Sequence, residues 1–218
     1  MNPKWAHDAV HRKAVREGYR SRAVYKIREI QKRFSVIRRS DNVVDLGAAP
    51  GSWLQELVTL TTGTVVGVDL NPIAPVEGAV TLVGDFTLPE TQEEILRAVP
   101  VVNVVVCDAA PKLSGQRSYD QARAIDLGLQ ALTFAIRTLK PGGNFVVKSF
   151  QGEDFSFLLD SVRRQFRAVH VFRPVATRKG SAETYIIGKN FMGRSGNGMQ
   201  DAGSASSPDV PADDSLDD

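Results

Sequence analysis

Short runs of apolar, mostly β-branched residues recur along this chain and predict the strands of a β-sheet. Valine-rich runs with few polar interruptions are typical of strands covered on both faces, as in parallel sheets. Five such runs span residues 42–46, 64–70, 80–83, 101–107 and 144–148. Two later segments, 168–173 and 183–189, would complete a sheet of seven strands.

Helical patterns separate these runs, at residues 52–61, 90–98, 118–139 and 154–166. The third pattern is followed by Lys140, Pro141, Gly142 and Gly143, a basic last turn and a strong stop signal. Alternating strands and helices imply an α/β fold, in which a mostly parallel, doubly wound sheet carries helices on both faces. No linker or repeat interrupts residues 41–191, so we expect a single domain there.

Charge is distributed unevenly, although the chain of 218 residues has a formal net charge of only +2. Residues 1–40 contain twelve Lys and Arg against three Asp and Glu, a net of +9, and predict a basic helical segment. This segment indicates a polyanionic partner such as nucleic acid, with a solvated helix face as the alternative. Residues 192–218 contain few large apolar side chains and predict a disordered acidic tail.

The composition, 42% hydrophobic and 24% charged, is that of a globular protein and excludes collagen-like, coiled-coil and wholly disordered chains. The single cysteine, Cys107, excludes an internal disulfide and a cysteine-rich zinc site, and we expect no metal centre. No apolar run approaches the roughly 18 residues that span a bilayer, and the N-terminus lacks the apolar segment of a secretory signal. We therefore expect a cytoplasmic protein without a membrane partner, and a monomer as the simplest state.

The loop after the first predicted strand has the small residues of a ligand-binding turn. It reads GAAPGSW from Gly47 to Trp53, and ligands of open α/β sheets bind beyond the carboxyl ends of the strands. The loop lacks the lysine of a Walker A motif. Its two glycines, Gly47 and Gly51, are four residues apart, which departs from the G-x-G-x-x-G dinucleotide fingerprint. A phosphate cradle is therefore not indicated.

Acidic residues follow the next three strands: Asp69, Asp85 and Asp108. An acid at the end of the second strand commonly accepts hydrogen bonds from ribose hydroxyls. A single aspartate at such a position is often a turn residue or a helix cap. Three of them beside one glycine-containing loop favour a cofactor that carries positive charge and no phosphate. S-adenosylmethionine fits this description, because it has an ammonium and a sulfonium group.

Seven segments, in this order, resemble one known family: GYRSRAVYKIREI, DLGAAPGSW, GVDLNP, GDF, CDAAPKLSG, VVKSF and ETYIIGKNF. Over about residues 10–191 the chain is similar to the FtsJ/RrmJ-type RNA 2′-O-ribose methyltransferases. The resemblance implies a Rossmann-like S-adenosylmethionine-dependent methyltransferase fold. It also implies methylation of a ribose 2′-hydroxyl, with a uridine of the 23S (large-subunit) ribosomal RNA as the expected acceptor.

The resemblance further implies a Lys-Asp-Lys-Glu tetrad at Lys26, Asp108, Lys148 and Glu183. A ribose hydroxyl must lose its proton as it attacks the methyl group. A lysine can take that proton only when desolvation or a nearby cation favours its neutral form. We expect Lys148 to activate the hydroxyl and Asp108 to orient Lys148, while Lys26 and Glu183 would position the ribose and tune the charge.

The same resemblance implies cofactor contacts from the loop and from the strand ends, at Gly47, Gly51, Trp53, Asp69, Asp85 and Asp108. Backbone groups of the loop would bind the cofactor. Asp69 would bind the cofactor's ribose, Asp85 its adenine, and Asp108 would lie beside its methionine moiety. Ser52 departs from the family pattern, which often has a second glycine there, but a small residue still fits.

Basic residues just before Lys26 are the expected contacts to the RNA backbone: Arg12, Lys13, Arg16, Arg20 and Arg22. Three more flank the predicted site and would extend that surface: Lys112, Arg178 and Lys179. Tyr19 and Tyr25 would either stack on bases or pack against the sheet.

Three alternatives remain open on the sequence alone. Relatives with the same tetrad act on a ribose in the tRNA anticodon loop, and a short chain without a large added domain favours rRNA only modestly. A non-catalytic RNA-binding assembly factor on this scaffold would be expected to lose tetrad residues, and all four are present. A nicotinamide-dependent oxidoreductase would need the glycine fingerprint that this loop lacks.

Overall fold

Seven strands form one sheet in the computed structural model, which describes residues 9–111, 114–152, 154–178 and 180–193. In chain order they are β1 (Val43–Leu46), β2 (Val65–Asp69), β3 (Ala79–Val83), β4 (Val102–Cys107), β5 (Leu139–Phe150), β6 (Phe166–Phe172) and β7 (Glu183–Phe191). Their spatial order is β3-β2-β1-β4-β5-β7-β6. Strands β1 to β5 pair in parallel, and β7 runs antiparallel to β5 and β6. The predicted α/β fold with a mostly parallel seven-stranded sheet is confirmed.

The helices of the described residues are α1 (Ala9–Arg16), α2 (Val24–Phe34), α3 (Ser52–Leu60), α4 (Pro89–Ala98), α5 (Arg117–Thr138) and α6 (Phe155–Arg163). The last four correspond to the four helical patterns of the sequence, and α1 and α2 lie in the basic segment. Helix α4 begins with proline, whose missing N–H has no partner in a first turn anyway. Helix α5 ends before Lys140, as its stop signal predicts, but strand β5 begins at once and includes the Pro-Gly-Gly residues.

The sheet separates two layers of helices, and the alternation of side chains along each strand supplies both faces. On one face Leu46 and Val105 pack in the same cluster as residues of α4, α5 and α6. On the other face Val43 and Val104 pack with residues of α2 and α3. Strand β1 is buried along its whole length because both of its faces are covered.

Part of the basic segment belongs to this core. Ile27 and Ile30 of α2 are fully buried and pack in the cluster that contains Leu54 of α3. The side-chain amide of Asn144, on β5, donates a hydrogen bond of 2.6 Å to the carbonyl of Val36. The predicted functional boundary at residue 40 stays a prediction, but residues 24–37 pack as part of the folded domain. The predicted acidic tail lies outside the described residues from residue 194 onward.

The topology brings one end of each of the seven strands to the same edge of the sheet. Strands β1 to β6 run in one direction, so their carboxyl ends meet there, and antiparallel β7 contributes its amino end. Asp69 ends β2, Asp108 directly follows β4, and Glu183 begins β7. Chemically active side chains that are distant in sequence therefore lie together at this edge. In the described ranges, no helix combines the length and the apolarity that crossing a membrane requires.

Candidate active site

A cavity of about 560 Å³ opens at this edge of the sheet, a size typical of small-molecule and cofactor sites. The loops after β1, β2, β3 and β4 and one side of α5 form its walls. The ionisable residues that line it are Asp69, Asp85, Asp108, Asp126 and Arg123. Four carboxylates face one guanidinium, so the cavity favours a cation over a phosphate group. This donor set fits S-adenosylmethionine, whose ammonium and sulfonium groups are positive.

Two glycines allow the loop after β1 to pass close to other parts of the chain. Gly47 has φ of 77°, and a Cβ atom there would lie 2.5 Å from the Cβ of Ala109. Gly51 has φ of 104°, and a Cβ atom there would collide with the guanidinium of Arg20. Both backbones are left-handed, and at Gly47 the approach to Ala109 leaves no room for a side chain, so both positions favour glycine.

Hydrogen bonds fix the carboxylates of Asp69 and Asp85 at the cavity wall. Asp69 Oδ2 accepts a bond of 3.0 Å from the Ala49 amide, and Oδ1 accepts bonds from the backbone and side chain of Asn71. Asp85 Oδ1 accepts bonds from the amide and the hydroxyl of Thr87. Asp69 and Asp85 therefore stabilise the turns that follow their strands, and both also line the cavity.

The predicted cofactor residues fall into two groups. Gly47, Asp69, Asp85 and Asp108 line the large cavity, whereas Gly51 and Trp53 do not. The Trp53 indole is buried, and its Nε1 donates a bond of 2.8 Å to the carbonyl of Ala23. The side chain is thus structural. Its backbone N–H lies in the first turn of α3, where N–H groups have no partner within the helix.

The four tetrad residues lie together at the rim of the cavity and form two linked ion pairs. Lys26 Nζ lies 2.7 Å from Glu183 Oε1 and 4.0 Å from Asp108 Oδ2. Lys148 Nζ lies 3.3 Å from Asp108 Oδ1 and also donates to the Asp108 carbonyl. The exposed fractions of the four side chains lie between 8% and 16%. Two lysines and two carboxylates therefore form a nearly buried cluster, with Asp108 between the lysines.

Tyr185 is a further member of this cluster that sequence reasoning missed. Its hydroxyl donates a bond of 2.5 Å to Asp108 Oδ1 and lies 3.4 Å from Glu183 Oε1. Burial, together with the charges of Asp108 and Glu183, raises the pKa of Tyr185 well above its usual value, which keeps the hydroxyl as a donor. The available signal was strand alternation, since Tyr185 follows Glu183 by two residues on β7 and pairs with Lys148 of β5.

The residues predicted to bind RNA also divide into two groups. Arg20 donates hydrogen bonds to the carbonyls of Pro50, Ala74 and Pro75, and Arg22 donates to the carbonyl of Ala176. The Arg20 guanidinium therefore braces the loops after β1 and β2, and the Arg22 guanidinium braces the loop before β7.

The other three predicted RNA contacts, Arg12, Lys13 and Arg16, are exposed on α1. Lys13 lies 3.8 Å from Glu17 and above the ring of Tyr25. Of the three flanking residues, Lys112 and Lys179 lie outside the described residues, and Arg178 is exposed.

The two tyrosines of the basic segment contact one arginine. The Tyr19 hydroxyl donates to Glu56 and accepts from Arg28, and Arg28 Nε lies 2.8 Å from Glu56. The Tyr25 hydroxyl donates to Glu17, and the Arg28 guanidinium lies over both tyrosine rings. Both tyrosines thus pack within the protein, and their expected stacking on bases stays a prediction.

Asp45 is a second ionisable residue that sequence reasoning missed. It lies on β1 behind the loop, is completely buried, and neither carboxyl oxygen has a hydrogen-bond partner. A cavity of about 20 Å³ adjoins it and is also lined by Ser21, Ser52 and Asp108. Burial raises the pKa of Asp45 well above its usual value, and the nearby charges of Asp108 and Asp69 raise it further. The site therefore favours the protonated, neutral form of this side chain.

Replacing Asp45 with asparagine should remove a pH dependence of stability. In the unfolded chain an aspartate ionises near pH 3.9, whereas the folded protein keeps the Asp45 proton to higher pH. The wild type should therefore lose up to about 1.4 kcal/mol of unfolding free energy per pH unit, from about pH 4 up to the raised pKa. Urea unfolding at several pH values should show Asp45→Asn gaining stability relative to the wild type as the pH rises.

The exposed Asp160 on α6 provides the matched control for this measurement. Asp160→Asn should follow the wild-type pH dependence much more closely. Equal pH dependence in Asp45→Asn and the wild type would contradict the assignment of a protonated Asp45.

Comparison with known proteins identifies the family. A model of the FtsJ-like methyltransferase family matches residues 19–191. A protein from Methanosphaerula palustris named ribosomal RNA large subunit methyltransferase E is 59% identical over 196 residues, which are 90% of this chain and 97% of that protein. A protein of the same name from Methanoculleus marisnigri is 63% identical over 194 residues, 88% of this chain and 96% of that protein.

A solved structure shares the fold. A ribosomal RNA methyltransferase from Plasmodium falciparum superposes with a TM-score of 0.73 at 24% identity, over 81% of this chain and all of that chain. At this identity the likeness supports the fold alone. The family match spans nearly all of the described chain and includes every tetrad residue. The chain belongs to the FtsJ-like methyltransferase family.

Proposed function

We propose that this enzyme methylates a ribose 2′-hydroxyl of large-subunit ribosomal RNA, using S-adenosylmethionine. The observation that carries the proposal is the pair of linked ion pairs, Lys26–Glu183 and Lys148–Asp108, at the rim of the acidic cavity. The names of the similar proteins from Methanosphaerula palustris and Methanoculleus marisnigri support ribosomal RNA as the substrate. Uridine as the acceptor nucleoside is part of the same proposal.

Six residues are the proposed cofactor contacts: Gly47, Gly51, Trp53, Asp69, Asp85 and Asp108. Asp69 and Asp85 would accept hydrogen bonds from the adenosine part, and the first turn of α3 would offer free backbone N–H groups. When bound, S-adenosylmethionine would supply an electrophilic methyl group, which would pass to the ribose oxygen as its bond to sulfur breaks and the sulfur leaves as a neutral thioether. Asp108 lines the cavity and also contacts Lys148, so it joins the cofactor site to the tetrad.

Lys148 is the proposed proton acceptor. In its neutral form the Lys148 amine takes the proton of the 2′-hydroxyl as the ribose oxygen attacks. The ammonium that results stays 3.3 Å from the Asp108 carboxylate, which stabilises the charge. The Tyr185 hydroxyl and the Asp108 carbonyl fix the geometry of this pair.

Lys26 and Glu183 are the proposed ribose-positioning pair. Lys26 lies 2.7 Å from Glu183, 4.0 Å from Asp108 and over the ring of Tyr185. Its positive charge near Asp108 offsets part of the negative charge of that carboxylate. Glu183 in turn prevents Lys26 from being a nearly buried, unpaired cation.

Incubation with methyl-labelled S-adenosylmethionine and unmethylated total RNA tests the proposed function. Mapping of the labelled nucleotide should place the methyl group on a ribose 2′-oxygen of the large-subunit rRNA. Label in the anticodon loop of tRNA would favour the alternative substrate that the sequence left open. Absence of label from all RNA would favour the non-catalytic assembly factor.

Replacing Lys148 with alanine should lower kcat about 10²- to 10⁴-fold, the usual contribution of a general base. Affinity for S-adenosylmethionine, measured by titration, should change little, because Lys148 does not line the large cavity. Lys140, an exposed lysine of the same strand, offers the matched control, and Lys140→Ala should retain full activity. Full activity in Lys148→Ala would remove this residue from the proton-accepting role.

Replacing Asp69 with alanine should weaken cofactor binding more than RNA binding. The carboxylate lines the cavity and accepts the hydrogen bond from Ala49 that holds the loop. Loss of a charged hydrogen-bonding group costs about 1.5–3 kcal/mol, or roughly 10- to 150-fold in the Kd of the cofactor. Calorimetric titration of the cofactor and filter binding of RNA measure the two affinities, and a larger loss in RNA affinity would contradict the assignment.

Neutralising Arg12, Lys13 and Arg16 together should reduce the salt dependence of RNA binding. Each lost phosphate contact lowers the slope of log K against log salt by about 0.7–0.9, so the three should lower it by about 2–3. The matched control replaces three exposed arginines at the end of α6 and the start of β6: Arg163, Arg164 and Arg167. An unchanged slope in the α1 variant would leave α1 as a solvated helix face.

A cytoplasmic location and a monomeric state complete the proposal. The first is expected for a sequence without a long apolar run, and the second is the simplest state. Sedimentation equilibrium over a range of protein concentrations measures the second, and a mass that rises above 23.8 kDa with concentration would contradict it.

A further inference from the structure

A second cavity, of about 350 Å³, lies beside the first and has different walls. The two cavities share Ala110 and Pro111, which follow Asp108 in the loop after β4. Small residues leave the space open, and Phe150 and Pro111 supply apolar surface. The polar side chains that line it are Asp120 and Gln121, near the start of α5.

The second cavity borders the tetrad. Phe150 follows Lys148 by two residues at the carboxyl end of β5. Phe150 pairs with Glu183 in the register of β5 and β7, and Ala182 precedes Glu183 in the chain. A group seated in this cavity would therefore lie at the end of β5 and β7 that carries Lys148 and Glu183, across Ala110 and Pro111 from the first cavity.

The charge of the cavity argues against a phosphate group in it. Among the described residues that line it, Asp120 alone is charged. Its carboxylate accepts hydrogen bonds from the amide and hydroxyl of Ser114 and from the amide of Gly115. The bond from the Ser114 amide, the largest of these effects, lowers the pKa of Asp120, so the group stays negative. A fixed negative charge repels phosphate but accepts an uncharged group.

Gln121 provides a polar group with unused hydrogen-bonding capacity. Its Nε2 donates to the carbonyl of Gln151 at 3.3 Å, and a Cβ atom at Gly152 would lie 3.0 Å from the amide. Because Gly152 has no side chain, the half-buried Gln121 amide can pack against its backbone. The bond to Gln151 uses one N–H, which leaves the acceptor oxygen and the second N–H for a ligand.

We propose that this cavity binds the base of the nucleotide whose ribose is methylated. A single unstacked base offers a flat apolar face for Phe150 and Pro111 and a polar edge for the Gln121 amide, as in other single-stranded RNA sites. The ribose of that nucleotide would then lie beside Lys148, while its phosphates stay outside the cavity. The inference rests on the proposed function, because it names the part of the RNA that this same site selects.

Two variants test the subsite with the large-subunit rRNA transcript whose methylated nucleotide has been mapped. Ala182→Leu places a larger side chain in the cavity, and Gln121→Ala removes the amide. Each should lower kcat/KM for the transcript by about 10- to 100-fold, the range that pocket contacts give. Overall RNA affinity should change little because phosphate contacts dominate it. Gln130→Ala, at an exposed glutamine of the same helix, should behave as the wild type.

A second transcript, abasic at the acceptor nucleotide, tests the occupant directly. The wild type should methylate it more slowly than the normal transcript. Both substitutions would act on the contact between the cavity and the base, which the abasic RNA lacks. The two variants should therefore methylate the abasic RNA about as fast as the wild type does. Two results would contradict the subsite. In one, the loss caused by the substitution and the loss caused by the missing base multiply; in the other, the variants methylate the normal transcript at the wild-type rate.

Failure of the subsite and failure of the proposed function give different results. If the proposed function is wrong, the wild type itself transfers no methyl group to ribose. If only the subsite is wrong, the wild type methylates the mapped ribose and the variants do so equally well. Titration with S-adenosylmethionine shows whether Ala182→Leu is folded, and Gln121→Ala, at a half-buried side chain, decides the outcome if it is not.

Discussion

The pairing of Asp108 and Glu183 with two lysines is the interaction on which the rest of the site depends. These side chains are nearly buried, and leaving one such charge without its partner typically costs about 3–5 kcal/mol. The four groups come from α2, from the end of β4, from β5 and from the start of β7. The ion pairs therefore hold these elements in register at one edge of the sheet, and the edge cannot rearrange without separating buried charges.

The basic segment has a structural task because of this pairing. Lys26 reaches the tetrad only if α2 is docked, and several contacts dock it: Trp53 donates to the carbonyl of Ala23, and Ser52 donates to Ser21. Glu29, also on α2, accepts hydrogen bonds from the amides of Val175 and Ala176 in the loop before β7. The segment thus spans the distance between the cofactor loop and the loop that leads to Glu183. The positive charge of the segment does not by itself predict that some of its residues make contacts within the protein.

The sequence predicts the sheet well because continuous valine runs require cover on both faces, and the strand ends then place Asp69, Asp85 and Asp108 together. It predicts the tetrad only through the order of family motifs, since no local pattern says that residues 26 and 183 meet. Tyr185 and Asp45 were missed for a physical reason. Each lies on a strand among buried apolar residues, and the Asp108 carboxylate near both follows a different strand, β4, which only the folded sheet brings close.

The proposed function gives a reason for the separation of charge between the cavities and α1. The enzyme would bind two ligands of opposite charge, the cationic cofactor and the anionic RNA. Four carboxylates and one guanidinium line the first cavity, and Asp120 is the one charged residue among the described residues that line the second. Arg12, Lys13 and Arg16 are exposed on α1, where an RNA backbone can be attracted without entering either cavity. In the proposed function, an RNA strand would then present its uncharged groups, a ribose and a base, to the region around Lys148. The net charge of +2 conceals this separation of charge, which would favour the approach of the hydroxyl over that of the phosphate to the tetrad.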